Sequence, residues 1–393
     1  MSDDILHRRA AEIVLMSVDP GARFSPPYWA RDEAKVRRVC GILERSPRLR
    51  QECGSLKGKL RSTPTDWNVY ATLEEAVRSA LAEDAGLEGE VRDAVRRFQE
   101  DARLQPHRGE RFLDPFPTDA TRPEPPALPD RVRTPQRGRS RLSVVLDIRA
   151  VPGDTARLHN AQCTLAAVGD QTLPREDYRI ILVEQDEHPR NEGLFAPHVD
   201  QYLYGYNDGP YNHAWGHNVG AVHDEAESDV ILFMDVDVLP SRHFLEAVLV
   251  EFKDSPIGGL IPFRNLLFLE PHSTARAIDR RFSDDSGKSV RLDDLFGYRI
   301  HGPQGAASMA VRRDAFRDLN GFDESYEGWG SEDYEFYTRL AEVHEVGTMA
   351  GTLLHMHHPV QEGIARTADA NKRKLGRSDR TGIEIGSLDL YSR

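Results

Sequence analysis

The chain has 393 residues, of which 39% are hydrophobic and 29% charged. It is too long and too mixed in composition for a disulfide-stapled miniprotein or a wholly disordered tail, and it can bury one large core or two. It contains 51 Lys and Arg residues and 64 Asp and Glu residues, which gives a formal net charge of −13. That charge argues against a protein that binds nucleic acid by neutralising phosphates, although it does not exclude nucleotides as ligands.

Three features of the sequence bear on location. No stretch approaches the roughly 18–20 consecutive apolar residues of a membrane span. The first residues lack the basic and then apolar order of a signal peptide. Cys40, Cys53 and Cys163 are odd in number and widely spaced, which predicts reduced thiols rather than a Cys-rich zinc module. We therefore expect a soluble, cytoplasmic protein without a membrane span.

Residues 1–113 are predicted to form a helical domain. A helical period that is interrupted at Gly86 and Gly89 indicates two successive helices, and Thr72 and Glu75 have the spacing of a capping box. The periodic apolar residues are Leu73, Val77, Leu81, Leu87, Val91, Val95 and Phe98, and two earlier helices carry Ile5, Ile13, Met16, Val36, Val39, Ile42 and Leu43. This region has no catalytic constellation, so its expected role is docking to a partner protein or binding an acceptor.

The rest of the chain is predicted to comprise a linker, a second domain and a tail. Seven prolines between Pro115 and Pro135 and a run of arginines make residues 114–140 a linker. Residues 361–393 are polar and are predicted to be a tail or a mobile lid. The second domain is assigned to residues 141–360.

Short β-branched runs alternate with amphipathic stretches in the second domain. Strands are predicted over 143–147, 178–184 and 230–234, and helices over 155–168 and 244–252. Such alternation implies an α/β fold with a largely parallel sheet, whose ligands bind at the carboxyl ends of the strands.

Two carboxylates, Asp235 and Asp237, directly follow the third predicted strand. Their side chains are predicted to point to opposite sides. One can therefore face a divalent metal ion beside a diphosphate while the other bonds a sugar or the backbone. An acidic pair that merely caps a strand is the alternative.

A glycine-flanked tryptophan precedes a predicted helix. Gly328 and Gly330 let the backbone turn tightly around Trp329, whose ring is suited to stacking on a sugar. Glu332 and Asp333 stand where the helix begins and are expected to stay ionised, as a general base must. A simple preference for acidic residues at a helix N-terminus is the alternative.

These segments resemble a known family. Gly328-Trp-Gly-Ser-Glu-Asp333 and Phe233-Met-Asp-Val-Asp-Val-Leu-Pro240 resemble the β-1,4-galactosyltransferase group and its bacterial relatives among GT-A-fold glycosyltransferases. Val183-Glu-Gln-Asp186, followed by Tyr211-Asn-His-Ala-Trp-Gly-His-Asn-Val-Gly-Ala221, is similar to the family's stretch that begins Phe-Asn-Arg and ends Asn-Val-Gly. The resemblance covers residues 141–360 and implies a GT-A domain, which is a Rossmann-like nucleotide-diphospho-sugar transferase fold. It says nothing of residues 1–130.

The resemblance implies a role for each matching residue. Asp237 would bind the cofactor Mn²⁺ or Mg²⁺, and Asp235 would support the donor or the acceptor. Asp333 would be the catalytic base, with Glu332 holding the acceptor. Trp329 would lie between the donor and acceptor sugars, and Asp147 and Arg149 would lie against uracil and diphosphate. The remaining donor- or acceptor-binding residues would be Glu184, Tyr211, Asn212, His213, Val236 and Gly330.

Further metal ligands are expected from His355-Met-His-His358. His355 and His358 match the family's Met-x-x-His spacing, with histidine in place of methionine, and a neutral imidazole is a good Mn²⁺ ligand. Which of His355, His357 and His358 coordinates is left open, and a solvated histidine cluster is the alternative.

Two departures from the family affect the donor. His213 replaces the arginine of Phe-Asn-Arg, so an imidazole stands where a guanidinium would hold the diphosphate or ribose. The stretch from His301 to Ser308 also departs from the family's sequence. The choice among galactose, N-acetylgalactosamine and glucose-type donors is therefore left open.

The predicted function is a metal-dependent, inverting transfer of a hexose or N-acetylhexosamine from a UDP-sugar to a hydroxyl of a sugar, polysaccharide or polypeptide acceptor. One alternative is a nucleotide-sugar-binding module without turnover. Another is a retaining enzyme like the polypeptide N-acetylgalactosaminyltransferases, since a related retaining group carries asparagine where Asp333 stands. A nucleotidyltransferase would need a Gly-rich, basic triphosphate loop after the first strand, and Asp147-Ile-Arg-Ala-Val-Pro-Gly153 does not provide one.

Overall fold

The computed structural model describes residues 3–62, 66–112, 121–130, 140–283, 290–359, 364–376 and 380–392. The chain forms two compact units. Residues 1–121, 267–276 and 291–302 make up the first, and residues 122–266, 277–290 and 303–393 make up the second. Most of the predicted linker, 114–120 and 131–139, lies outside the described residues.

Helices occur in both units, and α2 and α3 begin at prolines, as helices commonly do. They are α1 (Asp3–Val18), α2 (Pro26–Leu43), α3 (Pro47–Ser62), α4 (Trp67–Glu83), α5 (Ala85–Asp101), α6 (Thr155–Gly169), α7 (Glu192–Phe195), α8 (His213–Val222), α9 (Phe244–Phe252), α10 (Pro271–Phe282), α11 (Arg313–Asp318), α12 (Glu332–Val343) and α13 (Ile364–Lys372). The predicted helical character of the N-terminal region is confirmed by α1 to α5.

The capping predictions in the first unit are wrong in position. Helix α4 begins well before Thr72, because Asp66 caps it by accepting a hydrogen bond from the Val69 amide at 3.3 Å. The break between α4 and α5 lies at Asp84, whose carboxylate caps α5, and not at Gly86. An aspartate that supplies the acceptor for free amides therefore decides both boundaries.

Strands also occur in both units. They are β1 (Leu104–Arg108), β2 (Leu142–Ile148), β3 (Tyr178–Asp186), β4 (Gln201–Tyr206), β5 (Val230–Met234), β6 (Val238–Leu239), β7 (Gly259–Ile261), β8 (Asn265–Leu269), β9 (Phe296–His301), β10 (Ser308–Arg312), β11 (Val346–Thr348) and β12 (Thr352–His355). In the first unit β1 pairs antiparallel with β9, so residues 291–302 belong to a unit that begins far earlier in the chain. Trp67 joins this pair to the helices, because its ring contacts Phe112 and Phe296 edge-on in the core.

The second unit contains a mixed seven-stranded sheet in the order β11-β7-β10-β5-β2-β3-β4. Strands β5, β2, β3 and β4 run parallel, and together with the intervening helices they confirm the predicted α/β fold. The sheet is not parallel throughout, because β10 is antiparallel to both β5 and β7. The predicted strand 230–234 and helix 244–252 coincide with β5 and α9.

Helix α8 lies close to β2 because two of its residues are glycines. A Cβ on Gly216 would stand 2.3 Å from Oδ2 of Asp147, and a Cβ on Gly220 would stand 2.3 Å from Cγ1 of Val145. Only glycine permits this approach. Since His213 lies three residues before Gly216, the same face of α8 carries this histidine toward the carboxyl end of β2.

The C-terminal segment packs on α8. Trp215 Nε1 donates a hydrogen bond to the Ser387 carbonyl at 2.8 Å, and the ring of Tyr391 meets Trp215 edge-on with centroids 5.2 Å apart. The described part of residues 361–393 therefore includes α13 and a stretch that packs against the second unit. A lid role for this segment stays a prediction.

Two further expectations concern thiols and membranes. Cys40, Cys53 and Cys163 are free and buried, as predicted for reduced thiols. Within the described parts of the chain, none of the helices combines the length and apolar character that crossing a bilayer requires.

Candidate active site

Acidic side chains collect at the carboxyl ends of two parallel strands. Asp147 is the next-to-last residue of β2, and Asp235 and Asp237 follow β5 directly. Because β2 and β5 are parallel neighbours, these ends meet at one edge of the sheet.

Asp237, His355 and His358 form a compact cluster. Oδ1 of Asp237 lies 3.2 Å from His355 Nε2, and Oδ2 lies 3.2 Å from His358 Nε2. Strand β12 supplies His355, because it pairs with β6 and the Met356 amide donates to the Asp237 carbonyl at 2.8 Å. The three side chains predicted to bind metal thus lie together, with their ligand atoms within 4.8 Å of one another.

The donor set of this cluster fits a divalent transition metal. One carboxylate and two imidazoles suit Mn²⁺ or a related ion, and Asp237 Oδ1 is buried without a hydrogen-bond partner among the described residues. Burial opposes ionisation of Asp237, but His355 and His358 outweigh burial and lower its pKa. Burial also lowers the pKa of His355 to about 4. An ionised Asp237 and a neutral His355 are the protonation states that a bound metal requires. Burial disfavours the charged form of His358, but Asp237 outweighs burial and raises the pKa of His358.

The backbone turns tightly around Trp329, as predicted from the glycines on either side of it. Gly328 and Gly330 have φ angles of +75° and +95°, and Ser331 follows with +79°. Helix α12 then begins at Glu332. The Gly328 amide donates to the Tyr211 carbonyl at 2.7 Å, so this turn is held against the segment that leads into α8. Trp329 is half-buried, which leaves part of its surface exposed.

Asp235 and Asp333 line one small cavity, together with His217, Gly305 and Phe322. Burial raises the pKa of Glu332. Burial, and next the charge of Glu332, raise the pKa of Asp333, and burial raises the pKa of Asp235 to about 7. The helix N-terminus was expected to keep Glu332 and Asp333 ionised. The structure corrects this, because burial and mutual repulsion favour their protonated forms.

His213 lies among these carboxylates. Its Nε2 is 3.4 Å from Asp235 Oδ1 and 3.6 Å from Asp147 Oδ1. Burial disfavours its positive charge, but the carboxylates, Asp147 foremost, outweigh burial and raise the pKa of His213 to about 10. Among these carboxylates alone, the imidazolium form of His213 is therefore favoured.

Sequence reasoning missed His217. Its Nε2 lies 2.8 Å from His213 Nε2 and 3.8 Å from Asp147 Oδ1, and its side chain is 3% exposed. The signal was present, because histidines four residues apart on a helix share one face. The segment was instead matched only to the family's Asn-Val-Gly stretch.

Two asparagines join the motifs. The Asn212 side chain caps α8 by accepting from the Trp215 amide at 2.9 Å, and it donates to the Glu324 carbonyl at 2.7 Å. Asn218 makes hydrogen bonds of 2.9 Å to both the amide and the carbonyl of Phe322. The Tyr211 to Ala221 segment therefore fixes the chain that leads to Trp329.

Other predicted contact residues make internal contacts. Arg149 donates to three backbone carbonyls of β3 and of the loop after β4, at 2.8–2.9 Å. Glu184 is fully buried and accepts hydrogen bonds from Asn191 and Tyr202, and Val236 is buried. Contact of these residues with a donor or acceptor stays a prediction.

Comparison with known families gives one match within the second half of the chain. Residues 192–361 match the family model described as Glycosyltransferase like family 2, which is less than half of the chain. The matched region includes Asp235, Asp237, Asp333 and the histidines at 355 and 358. No curated protein sequence gives a significant match to the chain.

Solved glycosyltransferase structures resemble part of the chain. The crystal structure of TarS 1-349 from S. aureus is 12% identical with a TM-score of 0.37, over 55% of this chain and 60% of that one. A mutant of Drosophila β-1,4-galactosyltransferase 7 in complex with manganese, UDP-Gal and xylobiose is 18% identical with a TM-score of 0.33, over 65% of this chain and 80% of that one. The catalytic domain of the same Drosophila enzyme with xylobiose has equal identity and TM-score, over 61% and 82%. The chain thus spans only 60% of the TarS fragment, and at TM-scores below 0.5 nothing about ligands follows from the likeness.

Proposed function

Since residues 192–361 match the family model described as Glycosyltransferase like family 2, we propose that this protein is a metal-dependent, inverting glycosyltransferase. It moves a hexose or N-acetylhexosamine from a UDP-sugar to a hydroxyl group. The observation that carries the proposal is that Asp235 and Asp333 line one cavity, while Asp237, two residues after Asp235, lies against two histidines.

Asp237, His355 and His358 are the proposed ligands of the metal ion. When bound there, a divalent cation supplies Lewis-acid stabilisation of the charge on the leaving nucleoside diphosphate. Arg157 adds a positive charge beside the cluster, since its guanidinium is 4.0 Å from Asp237 Oδ2. These side chains orient the donor so that its anomeric carbon faces the acceptor.

Asp333 is the proposed base. Its carboxylate takes the proton of the acceptor hydroxyl while the hydroxyl oxygen bonds to the anomeric carbon. The bond from that carbon to the diphosphate oxygen breaks, and its electron pair leaves with the nucleoside diphosphate. Burial strengthens Asp333 as a base by raising its pKa. Displacement from the opposite side inverts the anomeric configuration.

Glu332 and Trp329 are proposed to position the sugars. Glu332 adjoins the base at the first turn of α12 and would hold the acceptor. Trp329, on the turn before it, would lie between the donor and acceptor sugars, where an aromatic face packs against sugar C–H groups. Trp329 and Glu332 are three residues apart, on the turn and at the start of the helix that it leads into, and this proximity supports a shared task.

The acceptor is proposed to be a sugar, a polysaccharide or a polypeptide, and the first unit is proposed to bind it or a partner protein. The first unit has its own core of helices packed around Trp67 and Tyr70. Neither candidate metal cluster found among the described residues belongs to it. A recognition role therefore suits the first unit better than catalysis.

Release of nucleoside diphosphate from a panel of sugar nucleotides tests the proposal. The panel contains UDP-galactose, UDP-N-acetylgalactosamine and UDP-glucose, each with Mn²⁺ or Mg²⁺ and with or without sugar and peptide acceptors. One donor is expected to turn over in a metal-dependent way, and Asp333→Asn is expected to abolish this. His243→Gln, at a side chain that is 72% exposed, serves as the unaffected control.

Two results would contradict the proposal. If a donor binds with metal but is not turned over with any of the acceptors, a binding module without turnover would be favoured. The absence of donor binding under every condition would overturn the site assignment.

A further inference from the structure

We propose that Asp147, His213 and His217 form a second transition-metal site, separate from the Asp237 cluster. Asp147 and His213 were expected from the sequence to touch the donor directly, and His217 was not expected to take part. The inference rests on the packing of α8 against β2 and does not depend on the proposed reaction.

The helix places both imidazoles on the same side. His213 and His217 are four residues apart, so their side chains leave α8 one turn from each other. Gly216 and Gly220 lie on the same face and allow the backbone of α8 to approach β2, as their missing Cβ atoms show. This approach brings both imidazoles to the carboxylate of Asp147.

The ligand atoms have the spacing of a metal site. His213 Nε2 lies 2.8 Å from His217 Nε2, and the two nitrogens lie 3.6 Å and 3.8 Å from Asp147 Oδ1. Asp235 Oδ1 is 3.4 Å from His213 Nε2. A tetrahedral zinc ion with bonds of about 2.0–2.1 Å separates its ligand atoms by about 3.3 Å.

The second oxygen of Asp147 is already held by the protein. Oδ2 accepts hydrogen bonds from the Tyr211 hydroxyl at 2.7 Å and from Gln185 Nε2 at 3.1 Å. Oδ1, which faces the histidines, is buried and has no hydrogen-bond partner among the described residues. Outer contacts that fix one oxygen and leave the other for an ion are typical of metal-binding carboxylates.

A hydrogen-bonded histidine pair is the competing interpretation. In that arrangement His213 is an imidazolium whose Nε2–H donates to His217 Nε2. Asp147 Oδ1 then lies 3.6 Å from this charge but stays buried without a hydrogen bond, which is costly. His217 Nδ1 lacks a partner in either arrangement, so it does not discriminate. An ion that binds Oδ1 and both nitrogens accounts for the buried oxygen and for the two facing Nε2 atoms.

The chemistry of the ligands selects the kind of ion. Two imidazoles and one carboxylate suit a tetrahedral Zn²⁺ ion, whereas Ca²⁺ and Mg²⁺ prefer oxygen ligands. The ion would place a fixed positive charge at His213, whose Nε2 lies 3.4 Å from Asp235 Oδ1, and Asp235 lines the cavity that Asp333 also lines.

Metal stoichiometry of the full chain tests the inference. After dialysis against a chelator, the protein is titrated with Co²⁺, whose absorption spectrum reports tetrahedral coordination, and with Zn²⁺ in competition with a coloured chelator. Wild type is expected to bind two ions per chain. The variant His213→Gln/His217→Gln is expected to lose one ion together with the tetrahedral Co²⁺ spectrum, whereas His355→Gln/His358→Gln loses the other ion and keeps that spectrum. His243→Gln is expected to bind both ions.

Asp147→Asn is the second variant, for the case in which the double variant misfolds. It keeps the size of the side chain and leaves both histidines in place. It is expected to weaken the second site at least about tenfold, with an unchanged circular dichroism spectrum. A wild-type chain that binds a single ion would overturn the inference, and so would two ions retained by a folded His213→Gln/His217→Gln variant. Neither readout requires an active enzyme, so failure of the proposed function would leave this test intact.

Discussion

His355 Nε2 lies 3.2 Å from Asp237 Oδ1, and the pairing of β12 with β6 sets this separation through backbone contacts. Replacing His355 by alanine is therefore expected to lower Mn²⁺ affinity at least about 10–100-fold without unfolding the chain. His357→Ala is the matched control and is expected to keep the affinity, because His355 and His358 are the histidines that face Asp237. Calorimetric titration with Mn²⁺ checks both variants, and equal losses in both would contradict the assignment of ligands.

The kcat of the proposed transfer is expected to depend on whether Asp333 is protonated. Burial and the charge of Glu332 raise its pKa, and a base acts only when deprotonated. At saturating metal, kcat is therefore expected to rise with pH and to level off above the raised pKa, which lies beyond the usual aspartate value of about 4. A pH–rate profile measures this, and a rate that falls between about pH 5 and 8 would contradict it.

The close approach of α8 to β2 predicts a destabilising substitution. In Gly216→Ala the new methyl group would stand 2.3 Å from Asp147 Oδ2, so the free energy of unfolding is expected to fall by about 1–3 kcal/mol. Gly193→Ala is the control, because a Cβ there meets nothing within 4 Å. Denaturant titrations compare the two, and similar stabilities would mean that α8 does not need glycine at this position.

Asn218 is expected to be a strong determinant of stability. Alanine would leave the buried amide and carbonyl of Phe322 without their hydrogen bonds to this side chain. A loss of about 2–4 kcal/mol in the free energy of unfolding is expected. Asn68→Ala, at an exposed position in α4, should change stability little, and thermal unfolding of both variants provides the comparison.

Removing the Trp329 ring is expected to weaken sugar binding rather than the chemical step. Trp329→Ala should raise KM about 2–10-fold, which corresponds to the loss of an aromatic contact, while kcat changes less. Trp329→Phe retains an aromatic face and should recover most of the affinity. Steady-state kinetics with both substrates varied measure the effect, and a fall in kcat alone would contradict a stacking role.

The sequence predicted elements whose apolar pattern is local. Strand β5 and helix α9 coincide with the predicted ranges, because a continuous apolar run and a helical period mark them without reference to the rest of the chain. Strand β1 was missed, since its five residues include Pro106 and it is stabilised by pairing with β9 almost two hundred residues later.

The sequence likewise predicted one part of the candidate site and missed another. Asp235, Asp237 and Asp333 were found from motifs that are short and continuous. The approach of His217 to Asp147 could not be predicted, because it depends on how closely α8 packs on β2. The raised pKa of Asp333 also escaped prediction, since it is set first by burial and then by the charge of the adjacent Glu332, with further contributions from Asp235 and Asp147 on other elements.

Donor binding and turnover, measured on the same preparations of Asp333→Asn and Asp237→Asn, test the central claim most directly. Asp333→Asn is expected to bind the UDP-sugar with Mn²⁺ as wild type does, while its kcat falls about 10²–10⁴-fold. Asp237→Asn is expected to lose Mn²⁺-dependent donor binding altogether. Wild-type turnover by Asp333→Asn, or unchanged Mn²⁺-dependent binding and turnover by Asp237→Asn, would contradict the account.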